Sequence, residues 1–329
     1  MRLIWPMLLL SAVIVPLNAD SCSGGGPDPG ATPTPSPNEG PDTHVPVFTA
    51  IHQQFGNGDT RTVSQAVSLP EETLFYKTIT VNYTLSCPTG GCDPWDRLAY
   101  VQAVRNAGTP EEEVFEIGRF ITPYGVGGTW SLDVTDLRPV LAGDITIRSF
   151  IDTWVNPGWL VDVSLDFVGG TPARRAIDVI PLWSGYYNYG DPNNPPESHM
   201  ATQQVAIPAD VSGASVRVLA TGHGFGATEN CAEFCQKEHT IIFDAFDDTV
   251  TPWRDDCRTS GVDGQSGTYW YSRAGWCPGD DVVPRTWDIS SVMTPGQTAS
   301  FDYLIQSYVN TETTVTPYWV MTANLVLYE

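Results

Sequence analysis

Hydrophobic and polar residues alternate with a period of two in many short stretches of this chain. The stretches are residues 78–85, 99–104, 144–151, 161–168, 203–207, 214–220, 239–243, 299–305 and 318–327. Such alternation is typical of strands that bury one face. Turn residues separate the stretches, and no amphipathic stretch is long enough for a helix of more than three turns. The pattern therefore predicts an all-β chain.

The strand-like stretches fall into two sets, which a turn-rich segment at residues 169–175 (GGTPARR) separates. Alternating strands of this number favour two β-sandwiches, one for each set. No internal sequence repeat relates the two halves. We predict an N-terminal sandwich at residues 45–172 and a C-terminal sandwich at residues 177–329.

The N-terminus has the features of an export signal. Arg2 precedes an apolar run at residues 3–17, which is too short for a comfortable transmembrane span. We predict a signal peptide at residues 1–21 and a Pro/Gly-rich linker at residues 22–44. Cleavage after Ala19 would give a secreted protein, whereas the sequence ADSC at residues 19–22 resembles a lipobox and would make Cys22 a lipidated residue. The second interpretation predicts a cell-surface or periplasmic lipoprotein.

Charge limits the possible partners. The chain has 38 acidic and 16 basic residues, for a net charge of −22. Such a chain repels nucleic-acid phosphates and anionic lipid head groups, so we expect no nucleic acid partner. Membrane contact is expected only through a lipid anchor at Cys22, and we expect a monomer.

Seven cysteines occur, and six of them lie in the part of the chain that is predicted to fold. In an oxidising compartment these six favour disulfides. Proximity suggests Cys87–Cys92, Cys231–Cys235 and Cys257–Cys277, although many pairings are open to six cysteines. The alternative, a zinc site, prefers closer Cys pairs or nearby His. The five His residues form no HxH or HExxH motif, so we expect no metal and no cofactor.

Four segments place acidic residues or Arg beside aromatic residues, and three of them contain cysteine. They are residues 92–97 (CDPWDR), 152–154 (DTW), 231–235 (CAEFC) and 271–279 (YSRAGWCPG). An indole ring can stack on the apolar face of a sugar while acids and Arg bind its hydroxyls, so these segments are candidates for a sugar site. The alternative is that the Trp residues belong to the core and that the acids lie in solvated turns.

Longer motifs that contain these segments resemble the peptide-N-glycosidase F family. They are CDPWDRLAY at 92–100, EIGRFITPYG at 116–125, LDVTD at 132–136, DTW at 152–154, CAEFC at 231–235 and RAGWCPG at 273–279. The resemblance covers residues 48–329. It implies two eight-stranded jelly rolls packed side by side, with an active site in the cleft between them. It also implies hydrolysis of the amide between N-acetylglucosamine and Asn in N-linked glycoproteins or glycopeptides, without metal or cofactor, and the same three disulfides.

The resemblance carries site residues over motif by motif. Asp96 matches the essential acid that would activate or orient water, and Glu233 matches a second essential carboxylate. Asp152 stands where the family has a Glu that contacts the sugar. The other matched cleft positions are Trp95, Arg97, Trp154, Arg273 and Trp276, together with His223, which replaces a Trp of the family, as Phe234 does.

Two other functions fit parts of the sequence. A non-catalytic glycan-binding surface lipoprotein would use the same fold, and the changes at Asp152 and His223 make it plausible. A copper monooxygenase on paired jelly rolls would need several paired His ligands, and this chain has too few.

Overall fold

A computed structural model describes residues 38–56 and 58–329. The predicted signal peptide, the lipidation site Cys22 and most of the linker lie outside these residues. The first strand, β1, begins at Thr43. Its first residues, Thr43 and His44, pair with Phe167 and Asp166 of another strand.

The N-terminal half is a sandwich of two antiparallel sheets. Its eight strands are β1 (Thr43–Gln53), β2 (Thr62–Leu69), β3 (Tyr76–Ser86), β4 (Leu98–Arg105), β5 (Glu113–Ile121), β6 (Gly128–Asp133), β7 (Gly143–Ile151) and β8 (Trp159–Gly169). One sheet has the order β1-β8-β3-β6, and the other places β5, β4, β7 and β2 side by side. Apolar side chains from both inner faces form its core.

The C-terminal half is a second antiparallel sandwich. Its eight main strands are β9 (Ala176–Asn188), β10 (Gln203–Ala206), β11 (Gly213–His223), β12 (His239–Phe243), β13 (Phe246–Val250), β15 (Arg285–Asp288), β16 (Thr298–Ile305) and β17 (Tyr318–Tyr328). The sheets have the orders β10-β16-β12-β13 and β15-β11-β17-β9. When the strands of each half are counted from its own first strand, both halves have the same order. The predicted pair of eight-stranded jelly rolls is therefore confirmed.

The two sandwiches meet along a shared seam. The short strand β14 (Asp280–Asp281) comes from the C-terminal half of the chain but pairs with β5. A separate apolar cluster includes Leu98 and Ile121 from the first half and Leu219 and Trp276 from the second. The seam thus combines strand pairing with buried apolar contacts, which stabilises one arrangement of its two sides.

Helices are short, as the sequence predicts for the described residues. They are an α-helical turn at Cys257–Ser260 and 3₁₀ turns at Thr135–Val140, Pro196–His199 and Thr228–Asn230. Among residues 38–56 and 58–329, no helix has the length and apolar content needed to cross a membrane.

The nine predicted strands are all present, and several further strands were not predicted. The longest of these, β9, begins directly after the turn-rich segment and contains Pro181. Strand β5 is buried on both faces from Phe115 onward, so its residues do not alternate between apolar and polar. Alternation identifies half-buried strands and misses those that lie between two packed layers.

Candidate active site

A cleft of about 790 Å³ opens between the two sandwiches. Both halves of the chain line it, and it contains every predicted cleft residue. Four large aromatic side chains that are exposed to solvent also line it, namely Trp95, Trp154, Phe225 and Tyr271. Exposed aromatic rings clustered in a polar cleft are typical of a binding site.

Asp96 projects into the cleft from a tightly held loop after the Cys87–Cys92 disulfide. The fully buried Asp93 organises this loop. Its carboxylate accepts hydrogen bonds from the backbone N–H of Trp95 (3.0 Å), from Nε of Arg97 (2.8 Å) and from Oγ1 of Thr153 (2.6 Å). Asp96 is therefore held on a rigid segment, which favours a fixed position for its carboxylate.

Glu233 reaches the same cleft from the other half. It lies inside the Cys231–Cys235 disulfide ring. Its backbone N–H donates to the carbonyl of Gly224 (3.1 Å), and its carbonyl accepts from the N–H of Ala274 (2.9 Å). Only 12% of its side chain is exposed.

Arg273 connects the two carboxylates. Its Nε lies 3.2 Å from Oε1 of Glu233, and Nη2 lies 3.7 Å from Oδ2 of Asp96. The guanidinium also donates to the carbonyls of Tyr271 (2.8 Å) and Thr268 (3.1 Å), and its side chain is 1% exposed. One buried cation therefore serves two carboxylates, and their charge is incompletely neutralised.

Burial is the main influence on the pKa values of both acids. Burial, reinforced by the charge of Asp96 and opposed by Arg273, raises the pKa of Glu233 to about 7. Burial also raises the pKa of Asp96, while a hydrogen bond from Tyr124 and the charge of Arg273 lower it. Both pKa values are thus raised, that of Glu233 to about 7, so Glu233 can hold or release a proton near neutral pH, as a general acid or base does.

Tyr124 also lines the cleft. It was not among the predicted site residues, although the motif EIGRFITPYG at residues 116–125 contains it. Its hydroxyl accepts from Nη2 of Arg273 (3.4 Å). A Cβ at Gly267 would lie 2.2 Å from its ring, so only glycine permits this packing. A glycine 143 residues further along the chain is not recognisable from sequence as a partner of Tyr124.

Asp152 and Trp154 form the wall of the cleft on the N-terminal side. Trp154 is half exposed, and Asp152 is partly buried, which raises the pKa of its carboxyl. Arg61 supports both residues from behind. Its guanidinium lies 4.2 Å from the Trp154 ring centroid, and Nη1 lies 3.8 Å from Oδ1 of Asp152. Asp59 holds that guanidinium at 2.7 Å. The sequence offers no motif that marks Arg61 as part of the site.

His223 and Trp276 form the floor of the cleft as a buried stack. The His223 ring lies between the rings of Trp276 (5.2 Å) and Tyr318 (5.4 Å). Burial lowers the pKa of His223 to about 3, so its ring is neutral in the physiological range. The Trp276 indole N–H donates to the carbonyl of Gly222 (2.7 Å). Both side chains are less than 10% exposed and pack chiefly against protein.

The structure forms the three predicted disulfides, Cys87–Cys92, Cys231–Cys235 and Cys257–Cys277. Cys277 of the last disulfide directly follows Trp276, so this disulfide anchors the segment that carries Arg273 and Trp276. Within residues 38–56 and 58–329, no group of three or more His, Cys, Asp or Glu side chains is placed to hold a metal ion.

Comparisons with known proteins agree with these motifs. A family model described as "Peptide-N-glycosidase F, C terminal" matches residues 192–326, and the corresponding N-terminal model matches residues 101–167. A relative from Elizabethkingia miricola, peptide-N(4)-(N-acetyl-beta-D-glucosaminyl)asparagine amidase F, is 31% identical over 288 residues, which are 82% of this chain and 79% of the relative.

Solved structures give the same result. PNGase F, a glycosylasparaginase from Flavobacterium meningosepticum, has a TM-score of 0.77 and 28% identity over 88% of this chain and 96% of that chain. PNGF-II, at 19% identity and a TM-score of 0.72 over 88% of this chain and 65% of that chain, shares the fold. Paired jelly rolls with a carboxylate–arginine cleft thus define the class of protein. The chain belongs to the peptide-N-glycosidase F family.

Proposed function

We propose that this protein hydrolyses the amide bond between N-acetylglucosamine and Asn in N-linked glycoproteins or glycopeptides. The glycan leaves as its glycosylamine, and Asn becomes Asp. One observation carries the proposal most directly: Asp96 and Glu233, from different halves of the chain, share the buried Arg273 in the cleft. Family membership agrees with this chemistry.

Amide hydrolysis needs a group that activates water and groups that stabilise the developing oxyanion. We assign Asp96 to orient and deprotonate a water that attacks the amide carbon. Arg273 would hold Asp96 in place and offset negative charge as it develops. Glu233, whose pKa is about 7, would bind the peptide side of the amide and exchange a proton with the departing amine.

We assign the sugar to the N-terminal wall. Trp154 and Trp95 are both about half exposed, so each offers a ring face on which a pyranose can stack. Asp152 would accept a hydrogen bond from a sugar hydroxyl, and Arg97 lines the cleft beside it. His223 and Trp276, which are buried in the floor, would act by shaping the cleft.

The test is a digestion of a denatured N-glycoprotein in heavy-oxygen water. We expect release of the intact glycan and one heavy oxygen in the new Asp at each former glycosylation site. Glycan binding without release would contradict the proposal and favour the alternative function, a non-catalytic glycan-binding lipoprotein. Loss of the glycan through cleavage between its sugars would also contradict it.

We further propose that the protein is exported and anchored by lipid at Cys22, and that it acts as a monomer. The three disulfides suit an oxidising compartment. Growth with labelled palmitate should label the wild type and leave the Cys22→Ala variant unlabelled and released. A soluble wild type that begins at Asp20 would contradict the anchor and indicate secretion. Size-exclusion chromatography with light scattering tests the monomer.

A further inference from the structure

A second large cleft lies at the seam between the sandwiches, apart from the candidate active site. Its volume is about 800 Å³, similar to that of the active-site cleft, and the two share no lining residue. We call it the seam cleft. The turn at residues 133–137, the connection at residues 171–174 and three residues of the C-terminal half, Arg217, Pro284 and Thr286, line most of it.

Arg217 reaches the seam cleft from the middle of β11. Ala214, Val216 and Val218 of this strand pack into the C-terminal core. Because side chains alternate along a strand, Arg217 points to the opposite face, towards the seam. It is 7% exposed and still lines the cleft, so the part of it that meets solvent does so there.

Arg217 is a buried cation without a close partner. In the described part of the chain, its side chain makes no hydrogen bond, and no carboxylate lies within 4 Å of its nitrogens. Glu116 and Asp136 act on it only at longer range, and burial lowers its pKa to about 10. Buried charges in proteins are normally paired, and an unpaired one calls for an explanation such as a bound ion.

The other charged groups of the seam cleft are largely occupied. Arg174 pairs with Asp288 outside the cleft at 2.9 Å. The Asp133 carboxylate accepts from the backbone N–H and the hydroxyl of Thr135, at 2.8 and 2.5 Å. Asp136 lies at the rim as an exposed residue, and partial burial of its carboxyl raises the pKa of that group.

Lys77 adds an exposed amine at the mouth of the cleft, and Thr286 adds a hydroxyl, whereas the hydroxyl of Thr171 already donates to Glu39 at 3.1 Å. The cations of the lining are thus Lys77, Arg174 and Arg217, against the two acids Asp133 and Asp136. This balance is unusual in a chain with a net charge of −22.

We propose that the seam cleft binds a small oxyanion, with Arg217 as its buried anchor and Lys77 at its mouth. A carboxylate, sulfate or phosphate group would accept paired hydrogen bonds from the Arg217 guanidinium, and charge-assisted bonds of this kind are among the strongest in proteins. The ligand would supply the counter-charge that the described residues do not. The proposal is independent of amide hydrolysis, because none of these residues belongs to the active-site cleft.

The experiment measures the melting temperature of the purified protein against sulfate, phosphate and N-acetylneuraminate, at constant ionic strength set with sodium chloride. The first two represent free inorganic anions, and the third represents a sugar acid. We expect at least one to raise the melting temperature with saturation, by roughly 5 °C at a concentration about a hundredfold above Kd.

Variants distinguish a site from a general salt effect. Arg217→Gln should abolish the saturable rise, and Lys77→Gln should weaken binding about threefold or more because one charge is lost at the mouth. The control is Arg285→Gln, at an exposed arginine on the neighbouring strand β15 that does not line the cleft, and it should bind as the wild type does.

Two results would overturn the proposal. One is a rise that equals that of chloride for all three anions. The other is a saturable rise that survives Arg217→Gln. If Arg217→Gln does not fold, isothermal titration of Lys77→Gln and Arg285→Gln decides, and equal affinity in these two variants would reject the site.

Discussion

Two buried arginines, Arg119 and Arg273, contact carboxylates in different ways: the first pairs with one carboxylate and the second is shared by two. Arg119, from β5, forms a two-point pair with Glu116 at 2.6 and 2.8 Å and also donates to Thr221 (2.9 Å) and to the carbonyl of Val320 (2.7 Å). Arg273, in the cleft, faces two carboxylates at 3.2 and 3.7 Å. Both guanidinium groups are almost fully buried.

The difference teaches what each arginine does. Glu116 is also bonded by the Thr322 hydroxyl (2.5 Å), so the Arg119 network is closed and joins β5 to β11 and β17. A satisfied network of this kind specifies one packing of two layers. Arg273 is shared by two carboxylates; burial raises the pKa values of both Asp96 and Glu233, and the charge of Asp96 raises that of Glu233 further. Raised pKa values in a cleft are typical of carboxyls that transfer protons.

The largest expected effect comes from removing the charge of Glu116, which pairs with Arg119. Glu116→Gln leaves the Arg119 charge buried without its partner, and the free energy of unfolding should fall by about 3–5 kcal/mol. Chemical denaturation measures it. The matched control is Glu113→Gln on the same strand, where an exposed carboxylate lies 4.0 Å from Arg105 and the change should be below about 1 kcal/mol. Equal losses in the two variants would mean that the network does not hold the seam.

The next-largest expected effect concerns Arg273 and the two carboxylates that share it. Asp96→Asn keeps the shape of the side chain but removes the base, so turnover should fall by about a hundredfold or more while the melting temperature is retained. Asp93→Asn, three residues away, should instead lower the melting temperature, because it weakens three hydrogen bonds that are buried or partly buried. Near wild-type turnover in Asp96→Asn would exclude it as the base.

Glu233 tests the same comparison through pH. Its folded pKa of about 7 lies above the reference value of 4.5, so the folded state binds the proton more tightly than the unfolded state between these values. The stabilisation from the neutral carboxyl is complete below about pH 4.5 and is lost as the pH rises through about 7.

Glu233→Gln removes this pH dependence. The variant should match the wild type near the reference pKa and exceed it at about pH 8, by at most about 3 kcal/mol. Its turnover should fall at both pH values. Unfolding curves at the two pH values measure the gain, and the exposed Glu238→Gln serves as the control that should change little at either. A variant that is less stable than the wild type at about pH 8 would show that Arg273 compensates Glu233 fully.

Much of the fold could be predicted because its half-buried strands alternate. Strand β12 (His239–Phe243) has both ends as predicted. Strand β5 lacks the alternation because both its faces are covered, and in β9 register shifts against β17 interrupt it. The equal strand order of the two halves was not visible in the residues themselves, since topology depends on pairing between distant segments. The resemblance implied two eight-stranded jelly rolls, and the structure adds their strand order.

Only part of the candidate site could likewise be predicted from the sequence. Motifs with unusual local composition, such as those around Asp96 and Glu233, could be found in the sequence. Arg61 could not, because its role depends on β1 and β2 bringing a loop against Trp154, which is 93 positions away. The closed network was equally hidden, since Arg119 finds Thr221 at a separation of 102 residues.

The smallest expected effect concerns the wall of the cleft. Asp152 is shorter by one methylene than the Glu of the family, and Arg61 holds its carboxylate at 3.8 Å from the side away from the cleft. Asp152→Glu should raise kcat/KM on an ordinary N-glycoprotein if the sugar bond is now long, since a hydrogen bond to a charged group contributes about 1.5–3 kcal/mol. Asp152→Ala should lower kcat/KM mainly through KM. Arg61→Met should lower it by a smaller factor, because the contact of a cation with an aromatic ring contributes about 0.5–2 kcal/mol. Arg105→Met, which loses a similar ring contact with Phe115 away from the cleft, is the control. Steady-state kinetics and a thermal melt on each variant show whether Asp152 contacts the sugar or only supports the fold. If Asp152→Ala lowers only the melting temperature and leaves kcat/KM unchanged, Asp152 supports the fold and does not contact the sugar.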